Sequence, residues 1–231
     1  MKILTLFDID GTLITKPRGV KHSSHGLAFN NAFNRIMGVT VGLDSISYHG
    51  KTDMQIILEV LTRAGFAEEV IYDRMDEIQS GITRFFNDKV SLEEILVLEG
   101  IENLLESLVE QKAVMGLVTG NIEEIAYRKL QLAGLDHYFP FGGFGGTSHI
   151  RSELVEKAIG LAEKQAGSLD REKVFVIGDT PRDVVAAHEA GVKAVGVATG
   201  IYSVGELKEA GADEVFADFS NCSLFLEKIL G

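Results

Sequence analysis

Two aspartates, Asp8 and Asp10, stand where a short apolar run of Ile3, Leu4, Leu6 and Phe7 stops. Such a run reads as a strand buried on both faces, and charge at its end needs a reason. In open parallel sheets the crevice beyond the carboxyl ends of the strands is where ligands bind. Residues two apart on a strand share a face, so these carboxylates point the same way and repel unless a cation or a shared proton relieves them. A divalent metal is one reading of the pair. A plain turn at Asp10-Gly11 is the other.

Two further apolar runs end in polar residues. Ala113 to Val118 leads into Thr119-Gly120-Asn121, and Val174 to Ile177 leads into Gly178-Asp179-Thr180-Pro181, with Asp183 close behind. Singly, each has a structural explanation: Asn121 could cap a helix, and Thr180, Pro181 and Asp183 read as N-cap, first helical residue and dipole-favoured acid. Asp179, an acid directly after a buried strand, has none. Polar strand ends that converge on one sheet edge make a site. Their chemistry suits phosphoryl transfer, in which a carboxylate attacks phosphorus and holds it as an aspartyl phosphate. Attack of one anion on another calls for neutralisation, which Mg²⁺ supplies through one or two carboxylates. Hydroxyls, helix N-terminal N–H groups and a basic side chain would cradle the remaining oxygens.

The elements that must position these residues follow from periodicity. Leu27, Ala28, Ala32, Phe33, Ile36 and Met37 predict a helix ending at Gly38; Ile56, Ile57, Val60 and Leu61 predict a second, from about Asp53 to Gly65. Val70 to Phe86 predicts a single third helix over roughly 68 to 86. Residues 17–87 thus read as all-helical. From about residue 100 helix and strand alternate, with further strands at Phe139 to Phe144, Ala194 to Ala198 and near Val215-Phe216, and helices closed at Gly134, Gly191 and Gly211. This rhythm predicts an α/β, Rossmann-like parallel sheet with helices on both faces, made of residues 1–16 and 88–231. The all-helical module 17–87 is inserted straight after its first strand.

The stretch Asp8-Ile9-Asp10-Gly11-Thr12-Leu13, followed in order by Thr119, Arg151, Asp179 and Asp183, resembles the motif set of the haloacid dehalogenase-like (HAD) hydrolase superfamily over the whole chain. The resemblance implies that Asp8 is the nucleophile and Asp10 the general acid and base. It also implies that Thr119 is the second motif's hydroxyl residue, with Gly120 and Asn121 beside it as substrate-binding positions. It places Mg²⁺ on the Asp8 and Asp179 carboxylates and the Asp10 backbone carbonyl, with Asp183 in support. The third motif is usually a Lys; Arg151 stands there instead, keeping the charge and adding bidentate geometry, unless it is only a solvent-facing residue at a helix start. Dehalogenase relatives lack the second aspartate, so Asp10 favours phosphate ester hydrolysis over halide chemistry.

The helical insert resembles the family's cap domain, whose closure excludes water and selects substrate. Lys51, in Gly50-Lys51-Thr52-Asp53, would reach a second anionic group there; the alternative is a loop before an N-cap threonine. The overall pattern is similar to phosphoglycolate phosphatase-like members, though Glu99-Gly100 replaces their common Pro-Gly. The resemblance therefore implies a Mg²⁺-dependent phosphatase acting on a small phosphorylated metabolite, phosphoglycolate-like or a sugar phosphate. A phosphomutase of the β-phosphoglucomutase kind and a catalytically silent binding or regulatory module are the alternatives. Intact Asp8, Asp10, Thr119 and Asp179 speak against the last.

Composition excludes other classes. The formal charge of −12 opposes wrapping onto nucleic acid, so an anionic substrate needs local positive groups or a metal. No apolar run approaches the roughly 20 residues that span a membrane. The stretch between Lys2 and Asp8 is too short for a signal-peptide core, which makes a cytoplasmic location the expectation. Cys222 stands alone and reads as a packing residue. His22, His25, His49, His137, His149 and His188 show no metal-ligand spacing and read as solvent-facing or core-edge; the alternative for the first three, which belong to the helical module, is that they line its cavity.

Overall fold

The structure is a computed structural model that describes residues 2–17 and 23–230. Arg18, Gly19 and His22 lie outside them. Strand β1 (Leu4–Phe7) leads through the two-residue strand β2 (Ile14–Thr15) to four helices, α1 (Ser24–Met37), α2 (Asp53–Arg63), α3 (Glu68–Asp73) and α4 (Met75–Lys89), and then to β3 (Leu96–Val97). The chain continues through α5 (Ile101–Glu110), β4 (Val114–Thr119), α6 (Glu123–Ala133), β5 (Gly142–Phe144) and α7 (Arg151–Ala166). It closes with β6 (Val174–Gly178), α8 (Pro181–Glu189), β7 (Lys193–Val197), α9 (Val204–Glu209), β8 (Glu214–Phe216) and α10 (Cys222–Leu230).

Six strands form one parallel sheet in the order β5-β4-β1-β6-β7-β8. The order reverses at β1: the chain builds outward to β4 and β5, then returns to β6 on the other side. Such a switch point is where open α/β sheets bind ligands. Phe7 is level with Leu117 on β4 and Ile177 on β6, so the residues that follow these three strands share one edge. Alternation splits β1 between two cores. Leu4 and Leu6 pack with α7 and α8, whereas Phe7 packs with α5, α6 and α10. Cover on both faces is why these strands read as unbroken apolar runs.

Helices α1 to α4 surround a third apolar cluster that includes Phe29, Phe33, Ile57, Ile78, Ile82 and Phe86, joined by Ile122 and Ile125 from the start of α6. Within the described residues 23–89 there is no strand. The single helix predicted over 68 to 86 is two, because Arg74 (φ −106°, ψ 3°) leaves helical geometry between α3 and α4. Its guanidinium bonds Glu77 and, at 3.3 Å, the Ile36 carbonyl of α1, so the break also ties α4 to its neighbour. Strands β2 and β3 pair antiparallel, Ile14 with Val97 and Thr15 with Leu96, where the chain leaves for the helical segment and returns from it. Two-residue strands show no alternation to read. The strand predicted from Phe139 begins only at Gly142. Among the described residues no helix is long and apolar enough to cross a membrane.

Candidate active site

Beyond Phe7 the Asp8 N–H still donates to the Ile177 carbonyl (2.9 Å), so the sheet ladder fixes the backbone that carries the first carboxylate. The chain then turns sharply. Gly11 sits at φ +87°, and a Cβ there would lie 2.4 Å from an Asp179 carboxylate oxygen, so glycine is required both by conformation and by close approach. Thr12 Oγ1 lies 3.5 Å from Asp179 Oδ1. Asp8, Asp179 and Asp183 are all buried and offer oxygens within 4.8 Å of one another.

Arg151 opens α7 and reaches this cluster. Its Nη2 donates to Asp183 (2.5 Å) and lies 3.2 Å from Asp8, and its Nη1 donates to the Gly50 carbonyl (3.2 Å). The residue is only 9% exposed and its Nε has no hydrogen-bond partner among the described residues. It is therefore not a solvent-facing residue at a helix start. Burial works against its charge, but Asp183 and Asp8 outweigh burial and raise its pKa further. Asp183 is committed elsewhere as well, since it accepts from Thr180 N (3.1 Å) and Thr180 Oγ1 (2.7 Å) in the capping box that starts α8.

The remaining acids lack sufficient positive charge. Burial pushes Asp8 up to about 7; Arg151 opposes the rise, and Asp183 and Asp10 add to it. Burial likewise pushes Asp179 up to about 8, with Asp8 and Asp183 reinforcing and Arg151 only partly offsetting. Two buried carboxylates driven towards protonation suit a hard divalent cation, which would be held by Asp8 and Asp179 with Asp183 fixed behind them by Arg151 and Thr180.

Asp10 stands in different surroundings. Its side chain is 54% exposed to the cavity, yet Oδ2 accepts from Lys129 Nζ (2.6 Å) and Asn121 Nδ2 (2.8 Å). Desolvation raises its pKa, but the charge and hydrogen bond of Lys129, with help from Asn121, win and hold the carboxyl below the usual range. Asn121 Nδ2 also donates to Thr119 Oγ1 (2.8 Å), and Asn121 N lies 3.3 Å from the same oxygen. These contacts use Thr119 as acceptor, which leaves its own O–H to donate. Asn121 therefore does not cap α6; it bridges Thr119 and Asp10.

The helical segment closes the other side. The Asp53 N–H donates to the Gly120 carbonyl (2.7 Å) and the Met54 N–H to the Gly145 carbonyl (3.0 Å). Asp53 Oδ2 accepts from Ile122 N (2.8 Å) and lies 3.1 Å from His25 Nε2. A Cβ at Gly120 would meet the Lys51 carbonyl at 2.3 Å, so this backbone contact requires glycine. Thr52 caps α2 by accepting from Gln55 N (3.1 Å), and the Lys51 ammonium is bonded to Glu59. Lys51 lines the cavity, but its charge already has a partner.

Between these walls lies a cavity of about 590 Å³ lined by Asp8, Asp10, Thr119, Lys129, Arg151 and Asp179. Partly exposed Leu43, Tyr48 and Ile95 contribute an apolar collar. His25 and His49 line it too, and the His25 ring also packs on the core residues Phe29 and Phe86, so it stands at the core edge and in the cavity at once. The structure thus brings together Asp8, Asp10, Thr119, Gly120, Asn121, Arg151 and Asp179 around one space, with Asp183 behind them. Lys129 and Asp53 escape a reading of the sequence. Lys129 carries a signal nonetheless: with Ile125, Ala126 and Leu130 it occupies the buried stripe of α6, where a lysine is out of place.

Residues 5–197 match the model of the haloacid dehalogenase-like hydrolases, and the chain belongs to that family. It is 25% identical over 226 residues to "Probable phosphatase IndB" of Dickeya dadantii, covering 95% of this chain and 91% of that protein. It is 27% identical over 223 residues to a phosphoglycolate phosphatase of Agrobacterium fabrum, covering 94% and 89%. A solved hydrolase from Pseudomonas syringae shares the fold with a TM-score of 0.72 at 22% identity, covering 99% of each chain.

Proposed function

We propose that this HAD-like phosphoric monoester hydrolase is a Mg²⁺-dependent cytoplasmic phosphatase that works through an aspartyl phosphate on Asp8. The observation that carries the reading is the meeting of Asp8 and Asp179 with the buried, partly unpaired guanidinium of Arg151. Asp8 attacks phosphorus while Asp10 protonates the departing alkoxide; Asp10 then takes a proton from water, which attacks the aspartyl phosphate and frees Asp8. Thr119 O–H and Arg151 bind the phosphoryl oxygens and hold them in line with Asp8. Mg²⁺ on Asp8, Asp179 and the Asp10 carbonyl would neutralise the two anions as they approach.

Residues 17–87 act as the cap in this reading, and the joint of Gly50 to Asp53 against Gly120 and Gly145 is the closed position. The cavity has the size of a metabolite site. With the Lys51 ammonium bonded to Glu59, an uncharged leaving group such as a sugar suits the cap better than a second carboxylate. Purified protein should release inorganic phosphate from p-nitrophenyl phosphate and from members of a phosphorylated metabolite panel, with Mg²⁺ required. Absence of turnover on every compound would overturn the reading, and phosphate retained on an isomerised sugar would point to a mutase.

A further inference from the structure

Lys129 is a buried lysine for which catalysis as described has no use. Its Nζ has three N–H donors and three neighbours: Asp10 Oδ2 (2.6 Å), Asn121 Oδ1 (2.8 Å) and His25 Nδ1 (3.4 Å). His25 comes from α1 of the helical segment, and with Nδ1 facing an ammonium its Nε2 carries the hydrogen donated to Asp53 Oδ2. Asp53 in turn accepts from Ile122 N, next to Asn121. The ammonium therefore sits in a closed circuit that begins and ends at the second motif and passes through the cap. Asp10, Asn121, Lys129, His25 and Asp53 all border the cavity, and in the proposed reaction Asp10 is the one that exchanges a proton with the substrate. Both hydrogen bonds to Asp10 fall on Oδ2, and among the described residues none falls on Oδ1.

We propose that Lys129 is the positioning residue for Asp10: it fixes Oδ2 so that Oδ1 carries the proton to the leaving group, and His25 completes this arrangement when the cap is closed. The proposal rests on the phosphatase reading above. Asp10 enters the first step having taken up a proton, which the adjacent ammonium makes scarcer but more readily given up. The Asp8 oxygen–phosphorus bond then forms, the bond from phosphorus to the alcohol oxygen breaks, and the proton on Asp10 Oδ1 passes to that oxygen. Asp10 is left as a carboxylate held by Lys129 and Asn121. Lys129 touches no reacting atom, so its loss should matter in proportion to how much the leaving group needs a proton.

Comparison of kcat/KM on p-nitrophenyl phosphate and on phenyl phosphate tests this, because the two esters are close in shape and kcat/KM reports steps up to departure of the alcohol. Lys129→Met should lose on the order of 10²-fold on phenyl phosphate, the poorer leaving group, and less than about tenfold on p-nitrophenyl phosphate. Asp10→Asn should show the same asymmetry, and Lys129→Arg should restore part of it. If Lys129→Met does not fold, Lys129→Gln, which keeps a donor at the buried site, carries the same comparison. Equal losses on both esters, or none, would overturn the proposal while leaving the phosphatase reading intact. A wild-type enzyme that cleaves neither ester overturns both.

Discussion

The two walls of the cavity are built on opposite principles. On the sheet-edge wall, Asp8, Asp179 and Asp183 crowd within reach of one another with Arg151 as the cation among them, and burial drives Asp8 to about 7 and Asp179 to about 8. On the helix wall the charges nearest the reacting end are paired: Asp10 with Lys129, Asp53 with His25 and the Ile122 N–H, Lys51 with Glu59. The first wall is short of positive charge and is therefore suited to receive a cation and a phosphoryl group. The second pairs its charges within itself around Asp10 and Asp53, as suits a surface that holds a geometry. Asp8 and Asp10, two residues apart in the chain, end up on different sides of this divide.

The comparison breaks most sharply at Asp8. Asp8→Asn should abolish turnover, a loss of about 10³-fold or more, because the amide cannot attack phosphorus. It should also raise the melting temperature of the Mg²⁺-free protein, since it removes one charge from the crowded wall. Full activity in this variant would sink the assignment. At Arg151 activity and stability should fall together. Arg151→Met removes the donor proposed to bind the phosphoryl group, at an expected cost of about 10²- to 10³-fold in kcat. It also leaves Asp8 and Asp183 buried without their partner, at a cost of about 3–5 kcal/mol. Arg151→Lys should recover stability better than activity, because an ammonium replaces the charge but not the fork. Denaturant melts alongside kinetics separate the two effects.

On the helix wall the expected change is smaller and of another kind. Asp53→Ala removes the acceptor for Ile122 N and His25 and loosens the joint between α2 and the loop after β4, so it acts on closure and not on the reacting groups. An unpaired buried N–H costs about 1–3 kcal/mol, which should appear as a rise in KM of roughly tenfold with kcat less affected. A loss confined to kcat would move Asp53 to the chemical side of the comparison.

How much of this could be read beforehand follows from the same divide. Asp8, Thr119 and Asp179 stand where buried strands stop, and a polar residue there breaks a pattern that the sequence displays over several residues. The shared side follows as well, because parallel strands of one sheet run in the same direction, but that Phe7, Leu117 and Ile177 are level is seen only in the fold. The helix wall has no such punctuation. Lys129 looks like any helical lysine until its spacing of four from Ile125 is seen to put it on the buried stripe, and Asp53 reads as an ordinary first-turn acid. Lys51 and Glu59 lie eight residues apart, with only the path of α2 to bring them together. The break at Arg74 and the β2–β3 pair depend on tertiary contacts that no local pattern records.

The last and smallest effect tests the charge deficit itself. Asp8 at about 7 and Asp179 at about 8 both lie above the value of about 3.9 for an aspartate in an unfolded chain. The folded, Mg²⁺-free protein therefore binds protons that the unfolded chain has already released, and its stability declines as pH rises from about 4 through about 8. Asp10, held low by Lys129, pulls the other way only in acid, below the range of interest. Mg²⁺ binds the ionised carboxylates and displaces those protons, so it should raise the melting temperature by several degrees at pH 8 and hardly at all at pH 5, with proton release measurable on titration near pH 7. Chelator should reverse the gain. An equal rise at both pH values would mean that Mg²⁺ binds away from Asp8 and Asp179, and the contrast between the two walls would then lose its physical basis.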